Sequence, residues 1–493
     1  MARLEEQEQS RLNNFNFLKE NNILPYPYGF NKTHNSKDIQ EKYKTLEENT
    51  YSSEIASVAG RLLLIRNLGK IIFLDLYDMQ GKIQLVAKET ELSSKNLELI
   101  NKLDVGDIVG VVGKIFKTKR GEISIDVQEI TFLSKSFLPL PDKYHGLQDP
   151  EIKYRKRHLD LMTNKESRDI FVARAKIIST IREVLNKKGF IEVETPLLQP
   201  LYGGANARPF VTESFVWKRK LYLSISPELY LKRLLVGGFE KVYTICKNFR
   251  NEGIDKSHNP EFTMLEAYEA YKDYNSAMDL IEELIEAVTL KLFNTTQIEY
   301  EGKNFDFKRP WKKIKMKDAL KQIANIDVDK LDDEKIKELL NENKLHLEEY
   351  KRGLAIAELF EHFCESKLLG PIHVIDHPKE TTPLCKLHRD DKNLIERDEP
   401  YLNGMEIANI YSELNDPILQ EQLMIEQKDQ GKAKGESHPI DQDFIDTLKY
   451  GMPPAYGIGL GIDRLVILLT KSQNIKDVIL FPLLREEEEN KKE

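Results

Sequence analysis

A pair of strand-like stretches joined by a loop near the middle of the chain limits its fold more than any other feature. Residues 242–250 (VYTICKNFR) and 261–268 (EFTMLEAY) are rich in β-branched and aromatic residues, a composition typical of strands. Between them, Gly253 and the Asn259-Pro260 pair mark a loop that is too long for a tight hairpin turn. The sequence therefore predicts two strands that can lie side by side in a sheet.

The alternation of side chains along these strands gathers polar and aromatic groups on one face. Asn248 and Arg250 share a face of the first strand, whereas Phe262, Glu266 and Tyr268 share a face of the second. If the strands pair, one sheet surface carries an arginine, whose planar fork can hold phosphate and carboxylate together. If only Arg250 and Glu266 are considered, an ordinary surface ion pair is the alternative to a binding site.

The length and composition of the chain favour a multidomain protein without a membrane segment. A chain of 493 residues is too long for one ordinary core. The net charge of −8 gives no overall basic field, so a nucleic-acid partner would need a local patch. Three widely spaced cysteines argue against a disulfide framework and a zinc site. No apolar run is long enough to cross a membrane and no signal peptide is evident, so we expect a cytoplasmic protein.

Residues 55–137 contain five strand-like segments, with a helical segment between the third and the fourth. This order is that of an OB-fold β-barrel, a frequent nucleic-acid module. Along the second strand, Ile72, Leu74 and Leu76 form the core face, whereas Phe73 lies on a mixed face. Aromatic groups there can stack unpaired bases, although a partly exposed sheet face or a domain contact explains the pattern equally well.

Three motifs in the chain resemble those of the class II aminoacyl-tRNA synthetases. The string FRNEG, a loop with His258 and the string NPEFTMLE resemble motif 2, and the continuation into Glu266 and Tyr268 is similar to the lysine-specific branch. A helix, GF, a strand and TP within residues 169–196 resemble motif 1. The string GIGLGIDR, followed by an apolar helix expected to begin near Arg464, resembles motif 3. The resemblance extends over about residues 20–485.

The resemblance implies a fold of the α+β class with several domains. An N-terminal OB-fold β-barrel is expected to precede an antiparallel six-stranded sheet with flanking helices. The predicted parts are a helical and irregular segment (1–54), an OB-fold anticodon-binding domain (55–137), a linker (138–160), a catalytic domain (161–487) and a charged tail (488–493). Within the catalytic domain, residues 327–352 are interpreted as a solvated helical insertion.

The implied activity is the activation of L-lysine with ATP to lysyl-adenylate and transfer of the lysyl group to tRNA(Lys). The implied cofactor is Mg²⁺, and the implied assembly is a homodimer formed through motif 1. An aspartyl or asparaginyl enzyme of the same subclass is disfavoured because Glu228 and Glu413 would repel an acidic substrate. A non-catalytic tRNA-binding paralogue is disfavoured because Arg250 and Arg464 are both intact.

The resemblance also implies roles for single residues. The catalytic residues are Arg250, which would bridge carboxylate and α-phosphate, and Arg464. The implied ATP-binding residues are Arg250, Glu252, His258, Asn259, Phe262, Glu406, Ile407, Gly461 and Arg464. The implied lysine-binding residues are Gly204, Glu228, Arg250, Glu266, Tyr268, Asn409 and Glu413. The implied metal ligands are Glu399 and Glu406, and the implied anticodon contacts are Arg66, Phe73 and Gln84.

Without the resemblance, Glu228 has a plainer explanation. It follows Ser226 and Pro227 at a helix start, where the helix dipole favours an anion. It can also pair with Lys232, four residues on.

The polar residues before Asp416 also have a plainer explanation. Glu406, Asn409 and Glu413 have the spacing of a polar helix stripe. The Asp416-Pro417 pair nevertheless predicts a helix start after them, so a strand and a turn are expected there. Carboxylates beside a phosphate site suit magnesium, which takes oxygen ligands.

Overall fold

The computed structural model describes residues 2–141, 149–433 and 439–486, with side chains except those of residues 2–4 and 429–433. The chain divides into two compact units, Met1–Leu147 and Gln148–Glu493. Residues 142–148 of the predicted linker and the predicted tail 488–493 lie outside the described residues.

The first unit is built around a closed barrel. Its elements are α1 (Ala2–Glu20), α2 (Ser36–Lys42), β1 (Tyr51–Asn67), β2 (Ile71–Tyr77), β3 (Lys82–Lys88), α3 (Ser94–Asn101), β4 (Ile108–Lys117) and β5 (Ile123–Ser134). The strand order is β1-β2-β3-β5-β4, and β1 pairs with both β2 and β4. The predicted OB-fold is therefore confirmed.

The N-terminal residues belong to the same core as the barrel. Leu18 of α1 and Ile39 of α2 are fully buried in one cluster with the inward residues of β2. The first strand already begins at Tyr51. The sequence prediction separated residues 1–54 from the barrel. The structure instead packs Leu18 and Ile39 into the barrel core. The prediction missed this because both residues lie outside the strand pattern.

The second unit contains the remaining elements. These are α4 (Pro150–Arg155), α5 (Arg157–Thr163), α6 (Lys165–Lys187), β6 (Ile191–Glu192), β7 (Leu198–Gln199), β8 (Val211–Ser214), β9 (Arg219–Leu223), α7 (Glu228–Val236), β10 (Lys241–Phe249), β11 (Glu261–Ala270), α8 (Tyr274–Phe293), β12 (Gln297–Tyr300), β13 (Lys303–Asp306), β14 (Lys312–Lys315), α9 (Met316–Ile323), α10 (Asp333–Glu342), α11 (Arg352–Phe363), β15 (Ile372–Pro378), β16 (Leu394–Leu402), β17 (Met405–Glu406), β18 (Ala408–Ser412), α12 (Pro417–Ala433), α13 (Gln442–Leu448), β19 (Ala455–Gly461), α14 (Ile462–Thr470) and α15 (Ile475–Val478).

A large mixed sheet forms the centre of this unit. Its strand order is β14-β15-β16-β18-β19-β11-β10-β6, with β17 paired to β16. The six strands from β15 to β10 are all antiparallel. At the edges, β14 and β6 join in parallel. The expected six-stranded antiparallel sheet is thus present as the central part of a wider one.

Helices α6, α8 and α14 cover one face of this sheet, and the site lies on the other face, which α7 and α13 cover in part. Leu265 and Ala267 of β11 are fully buried in a core cluster with side chains of α6, α8 and α14. Because side chains alternate along a strand, Glu266 and Tyr268 face the opposite side. The pairing of β10 with β11 sets Asn248 opposite Phe262. Because helices pack against Leu265 and Ala267 on one side of β11, the polar groups of the hairpin collect on the other side.

Three local differences from the sequence prediction have physical causes. Helix α6 begins at Lys165 because the side chain of Asn164 caps it, accepting from the amide of Glu166 at 3.0 Å. Helix α14 begins at Ile462 rather than near Arg464. In residues 327–352 only α10 and a short 3₁₀ turn are helical, and Ile336 is fully buried against α11 and its neighbours, so the segment is not simply solvated.

None of the helices in the described parts of the chain combines the length and the apolar character needed to cross a membrane.

Candidate functional site

Arg250 lies directly after β10, where its amide donates to the carbonyl of Pro260 at 2.9 Å. Its guanidinium carbon is 5.0 Å from the centre of the Phe262 ring. Its Nε is buried and has no hydrogen-bond partner among the residues that the structure describes. Burial lowers the pKa of Arg250, while the charges of Glu252 and Glu266 oppose that effect. Since an arginine stays protonated, this is a buried cation with a donor left for an anion.

Three buried carboxylates converge on the same face of the sheet. Glu266 accepts from the hydroxyls of Ser226 at 2.9 Å and Tyr268 at 3.1 Å. Burial raises the pKa of Glu266 to about 8, and the nearby charge of Glu228 adds to the effect. Burial likewise raises the pKa of Glu413 to about 8. Such shifts mark carboxylates that lack enough positive charge around them.

Lys232 supplies an internal cation to this group. Its Nζ lies 2.6 Å from Oε1 of Glu228 and 2.5 Å from Oε2 of Glu413, and its side chain is fully buried. Burial lowers the pKa of Lys232, but the two carboxylates outweigh burial and raise it. Glu266, the third carboxyl group, contacts the hydroxyls of Ser226 and Tyr268 and forms no ion pair among the described residues. When all three groups are ionised, negative charge remains on this face and favours a cationic ligand.

Two glycines let the backbone approach these carboxylates. Gly204 has a φ of +84°, and a Cβ there would lie 3.0 Å from Oγ of Ser226. A Cβ on Gly457 would lie 2.5 Å from Cε1 of Tyr268 and would also clash with Oε1 of Glu413. Only glycine fits these positions without movement of a neighbour.

A cavity of about 1130 Å³ opens over the carboxylates. Its lining includes all seven residues for which the resemblance implies lysine contact: Gly204, Glu228, Arg250, Glu266, Tyr268, Asn409 and Glu413. These residues come from a loop, helix α7, strands β11 and β18, and the positions directly after β10 and β18, which are distant in sequence. The fold brings them to one place.

Beside the cavity, Asn409 joins two further carboxylates. Its Nδ2 donates to Glu399 at 3.3 Å and to Glu406 at 3.5 Å. Burial raises the pKa of Glu406, and the charge of Glu399 raises it further. Carboxylate oxygens held this close together are a donor set that suits a hard cation such as Mg²⁺. In residues 2–141, 149–433 and 439–486, no group of three or more His, Cys, Asp and Glu side chains could hold a metal by itself.

Arg464 and His258 lie next to these carboxylates. Nη1 of Arg464 donates to the carbonyl of Glu406 at 2.7 Å and to its Oε2 at 3.2 Å. Nη2 of Arg464 is 3.2 Å from Nε2 of His258. The other ring nitrogen of His258 is 2.8 Å from Asp255, which suits an Nδ1–H tautomer with Nε2 as acceptor. Arg464 thus brings one cation, paired with Glu406, to this end of the site.

The other residues with implied ATP contacts take different positions. Glu252 is exposed in the loop after Arg250, whereas Asn259 is buried and donates to the carbonyl of Glu261 at 2.6 Å. Ile407 is 1% exposed, and its carbonyl accepts from the amide of Gly461 at 2.9 Å. Neither Ile407 nor Gly461 brings a polar side chain, so a role for them in binding would use the backbone.

The residues with implied anticodon contacts lie on the barrel of the first unit. The guanidinium carbon of Arg66 is 5.7 Å from the centre of the Phe73 ring. Oε1 of Gln84 accepts from the hydroxyl of Ser124 at 3.1 Å. Phe73 pairs with Val86 on β3, two residues beyond Gln84. An aromatic ring, a cation and an amide therefore share one outer face.

Comparison with known families agrees with this geometry. A family model described as tRNA synthetases class II (D, K and N) matches residues 149–485. The chain belongs to this family. A second model, described as OB-fold nucleic acid binding domain, matches residues 56–133 of this class II synthetase.

The synthetase is also similar over its whole length to curated relatives. It is 47% identical to lysine–tRNA ligase 2 of Methanosarcina mazei, over 98% of this chain and 94% of the relative. It is 47% identical to the lysine–tRNA ligase of Carboxydothermus hydrogenoformans, over 98% of both chains. It is 46% identical to the lysine–tRNA ligase of Methanoculleus marisnigri, over 97% of this chain and 95% of the relative.

The structure of the synthetase adds residues that the sequence prediction missed. Lys232 appeared only as a helix partner of Glu228, because nothing local points to its second partner. Arg397 is buried between the two ends of the site, where it contacts Glu399 and donates to Oδ1 of Asn409 at 3.1 Å. The string ERDEPYL contains Arg397 beside the implied metal ligand, and this was the available signal.

Proposed function

We propose that this class II synthetase is a lysine–tRNA ligase, which forms lysyl-adenylate from L-lysine and ATP and charges tRNA(Lys). The observation that carries the proposal is the excess of buried carboxyl groups in the cavity: Lys232 pairs with Glu228 and Glu413, and Glu266 has no ion-pair partner among the described residues. L-Lysine brings two ammonium groups and therefore supplies the missing positive charge. Aspartate lacks a second ammonium and would add a carboxylate.

The geometry suggests one orientation for lysine. The ε-ammonium lies among Glu266, Tyr268 and Glu413, which are the more deeply buried groups. The α-ammonium lies near Glu228 and the backbone of Gly204. The α-carboxylate then points toward Arg250 and Asn409 at the phosphate end of the site.

In the first step, a carboxylate oxygen of lysine attacks the α-phosphorus of ATP. The new O–P bond forms as the bond from that phosphorus to the bridging oxygen breaks, and pyrophosphate leaves. Arg250 is positioned to contact both anions and to stabilise the charge that gathers between them. Phe262 offers its ring to adenine beside this arginine. Arg464 and His258 hold the departing pyrophosphate.

Magnesium fits the acidic side of the phosphate end. Glu399 and Glu406 would hold it, since Asn409 already keeps these two carboxylates together. When bound, the ion supplies positive charge against the phosphates. Two protein carboxylates, with phosphate oxygens and water as the remaining ligands, match the way Mg²⁺ usually binds.

In the second step, a ribose hydroxyl at the 3′ end of tRNA(Lys) attacks the lysyl carbonyl. The new ester bond forms as the bond between the lysyl carbonyl carbon and the phosphate oxygen of the adenylate breaks, and AMP leaves. No protein nucleophile is required. The barrel face with Arg66, Phe73 and Gln84 would bind the anticodon, with Phe73 stacking on an unpaired base.

We also propose a homodimer formed through motif 1 and a cytoplasmic location. Apolar side chains are exposed along β6, β7, β8 and their connections, where they would otherwise contact water. They are Ile191, Leu197, Leu198, Leu201 and Val211. An exposed apolar row of this kind suits burial against a second copy.

Amino-acid-dependent pyrophosphate exchange with each of the twenty amino acids tests the proposal. We expect exchange with lysine and at most trace exchange with the other nineteen. Exchange with aspartate or asparagine would replace the proposal by the neighbouring specificities. A protein that binds tRNA but supports no exchange with any amino acid would be a non-catalytic paralogue.

A further inference from the structure

The outer face of the barrel carries a row of side chains that crosses all five strands. Asp75 pairs with Gln84, Gln84 with Ser124, Ser124 with Phe116 and Phe116 with Tyr51. Residues directly opposite each other in paired strands project to the same side of the sheet. Tyr51 therefore shares the outer face with Gln84, although three strand pairings separate the two residues.

Tyr51 presents an open ring at the end of this row. Its ring is stacked on Phe116, with centroids 5.1 Å apart and an angle of 18° between the planes. Phe116 is only 9% exposed, whereas Tyr51 is 48% exposed. One face of the Tyr51 ring therefore covers Phe116, and the other faces outward.

The ring is held in place through its hydroxyl. That hydroxyl donates to Oδ2 of Asp126 at 2.7 Å and accepts from Nζ of Lys88 at 3.0 Å. Lys88 is itself paired with Asp126 at 2.7 Å. A ring that is already ordered loses little conformational entropy when a ligand stacks on it.

A cation lies beside the open ring. Nζ of Lys88 is 5.7 Å from the centre of the Tyr51 ring, and its side chain is 23% exposed. Aromatic rings that stack bases, with a positively charged group for the backbone, are the usual means of binding single-stranded nucleic acid. The pair resembles the arrangement of Phe73 with Arg66 on the same face.

The two rings are spaced for different bases. Phe73 pairs with Val86 on β3, and Val86 pairs with Asp126 on β5, whose carboxylate holds Tyr51. Neighbouring strands are about 4.8 Å apart, so the backbones of Phe73 and Asp126 are separated by roughly 10 Å. The hydroxyl of Tyr51 is thus anchored two strands away from Phe73, through Asp126, so the two rings offer separate surfaces to nucleotides of one loop.

We infer that Tyr51 is a second stacking platform of this synthetase, for an unpaired base of the anticodon loop next to the base on Phe73. The inference rests on the proposed anticodon role of Phe73 and adds a subsite to it. A second platform would add stacking that a single ring does not provide. Lys88 already pairs with Asp126 and Glu91, so this subsite would bind the base through the Tyr51 ring.

Binding of an RNA hairpin with the anticodon loop of a lysine tRNA to the full-length protein tests this inference. We expect Tyr51→Ala to weaken binding by about tenfold, as loss of one stacked base does. Tyr51→Phe keeps the ring and should bind within about threefold of the unchanged protein. Tyr28→Ala removes another exposed tyrosine of the same unit and should have no effect. Lysine-dependent pyrophosphate exchange should be the same in all these variants.

Hairpins with one abasic position at a time give the decisive comparison. The effect of Tyr51→Ala should disappear with one abasic position, and that of Phe73→Ala with a different one. The inference is wrong if Phe73→Ala weakens binding and Tyr51→Ala does not. It is also wrong if the effects of both variants disappear with the same abasic position. In either case the proposed anticodon face of Phe73 stands. If neither variant weakens binding, the proposed anticodon face itself fails. Equal losses from Tyr28→Ala and Tyr51→Ala would also overturn the inference.

Discussion

Nζ of Lys232 lies 2.5 Å from Oε2 of Glu413, and both side chains are fully buried. The first residue belongs to helix α7 and the second follows strand β18. The same ammonium contacts Glu228 at 2.6 Å. Two of the carboxylates proposed to bind lysine are therefore fixed by a lysine of the protein itself.

Replacement of this internal cation should damage lysine binding first. In Lys232→Met the carboxylates of Glu228 and Glu413 lose their shared partner, and breaking a buried pair costs about 3–5 kcal/mol. We expect a steep rise in the KM for lysine and a smaller change in the KM for ATP, measured by pyrophosphate exchange. Lys188→Met removes a half-exposed ion pair with Glu283 and should behave as the unchanged enzyme. Equal changes in both KM values would indicate a general loss of structure.

The pH dependence of lysine binding should follow the buried carboxyls. Burial raises the pKa of both Glu266 and Glu413 to about 8, so each is largely protonated below that pH. Protonation removes the charge that attracts an ammonium group. The KM for lysine should therefore fall as the pH rises from about 6 to about 8, and change little above that.

For the ligand-free protein the sign of this effect is opposite. A carboxyl with a raised pKa binds its proton more tightly in the folded state, so its ionisation disfavours folding as the pH rises from about 4.5 to about 8. Glu413→Gln should weaken lysine binding and reduce both pH dependences. A pH profile for lysine that is the same in this variant as in the unchanged enzyme would contradict the assignment of Glu413.

Arg250→Ala should abolish adenylate formation. No other described cation lies in the same position beside Phe262, and loss of one preorganised transition-state contact costs about 3–4 kcal/mol. Arg250→Lys should restore little activity, because an ammonium lacks the planar fork. The measurement is lysine-dependent pyrophosphate exchange at saturating substrates. Near-normal exchange in either variant would show that another group contacts the α-phosphate.

Gly457→Ala should interfere with lysine binding through its new methyl group. That group would lie 2.5 Å from Tyr268 and too close to Glu413, so one of the two side chains must move. We expect the KM for lysine to rise at least tenfold, with a smaller effect on ATP. Gly459→Ala is the matched control, since its Cβ would lie 3.0 Å from only the flexible end of Met264. Equal effects of the two variants would refute a specific role for Gly457.

Phe73→Ala should reduce the charging of tRNA(Lys) and leave adenylate formation unchanged. Stacking contributes about 1–3 kcal/mol per base, so charging of tRNA(Lys) should become about tenfold to a hundredfold less efficient. Pyrophosphate exchange without tRNA should be unchanged, because the residues proposed to bind lysine and ATP lie in the other unit. Loss of both activities would indicate a folding defect, and loss of neither would leave Phe73 as an ordinary sheet residue.

The sequence predicted the local parts of the site well. Alternation along β10 and β11 gave the shared face of Asn248, Glu266 and Tyr268, because each of these residues is placed by its own strand. The Asp416-Pro417 pair correctly ended the strand region before α12. These features depend on neighbours in sequence, which a single chain displays directly.

What the sequence did not predict depends on distant contacts. The partnership of Lys232 with Glu413 joins segments that no local pattern relates. The burial of Leu18 and Ile39 in the barrel core similarly depends on packing between elements. The strand before Thr195 was predicted from the sequence, but its parallel pairing with β10 was not, and β14 is too short and too polar to stand out as a strand. Their place in the sheet follows from the partners that they meet in the folded chain.

Strand β19 sets the spacing between the two ends of the site. Gly457 on this strand meets Glu413 and Tyr268, and Gly461 at its end precedes the helix that carries Arg464. Four residues of extended chain span about 13 Å. An inserted or deleted residue would move one end by about 3.4 Å and turn the following side chains to the opposite face. Changes in loop length would leave this spacing as it is. A change in the length of β19 would instead shift the residues proposed to recognise the amino acid relative to those proposed to activate it.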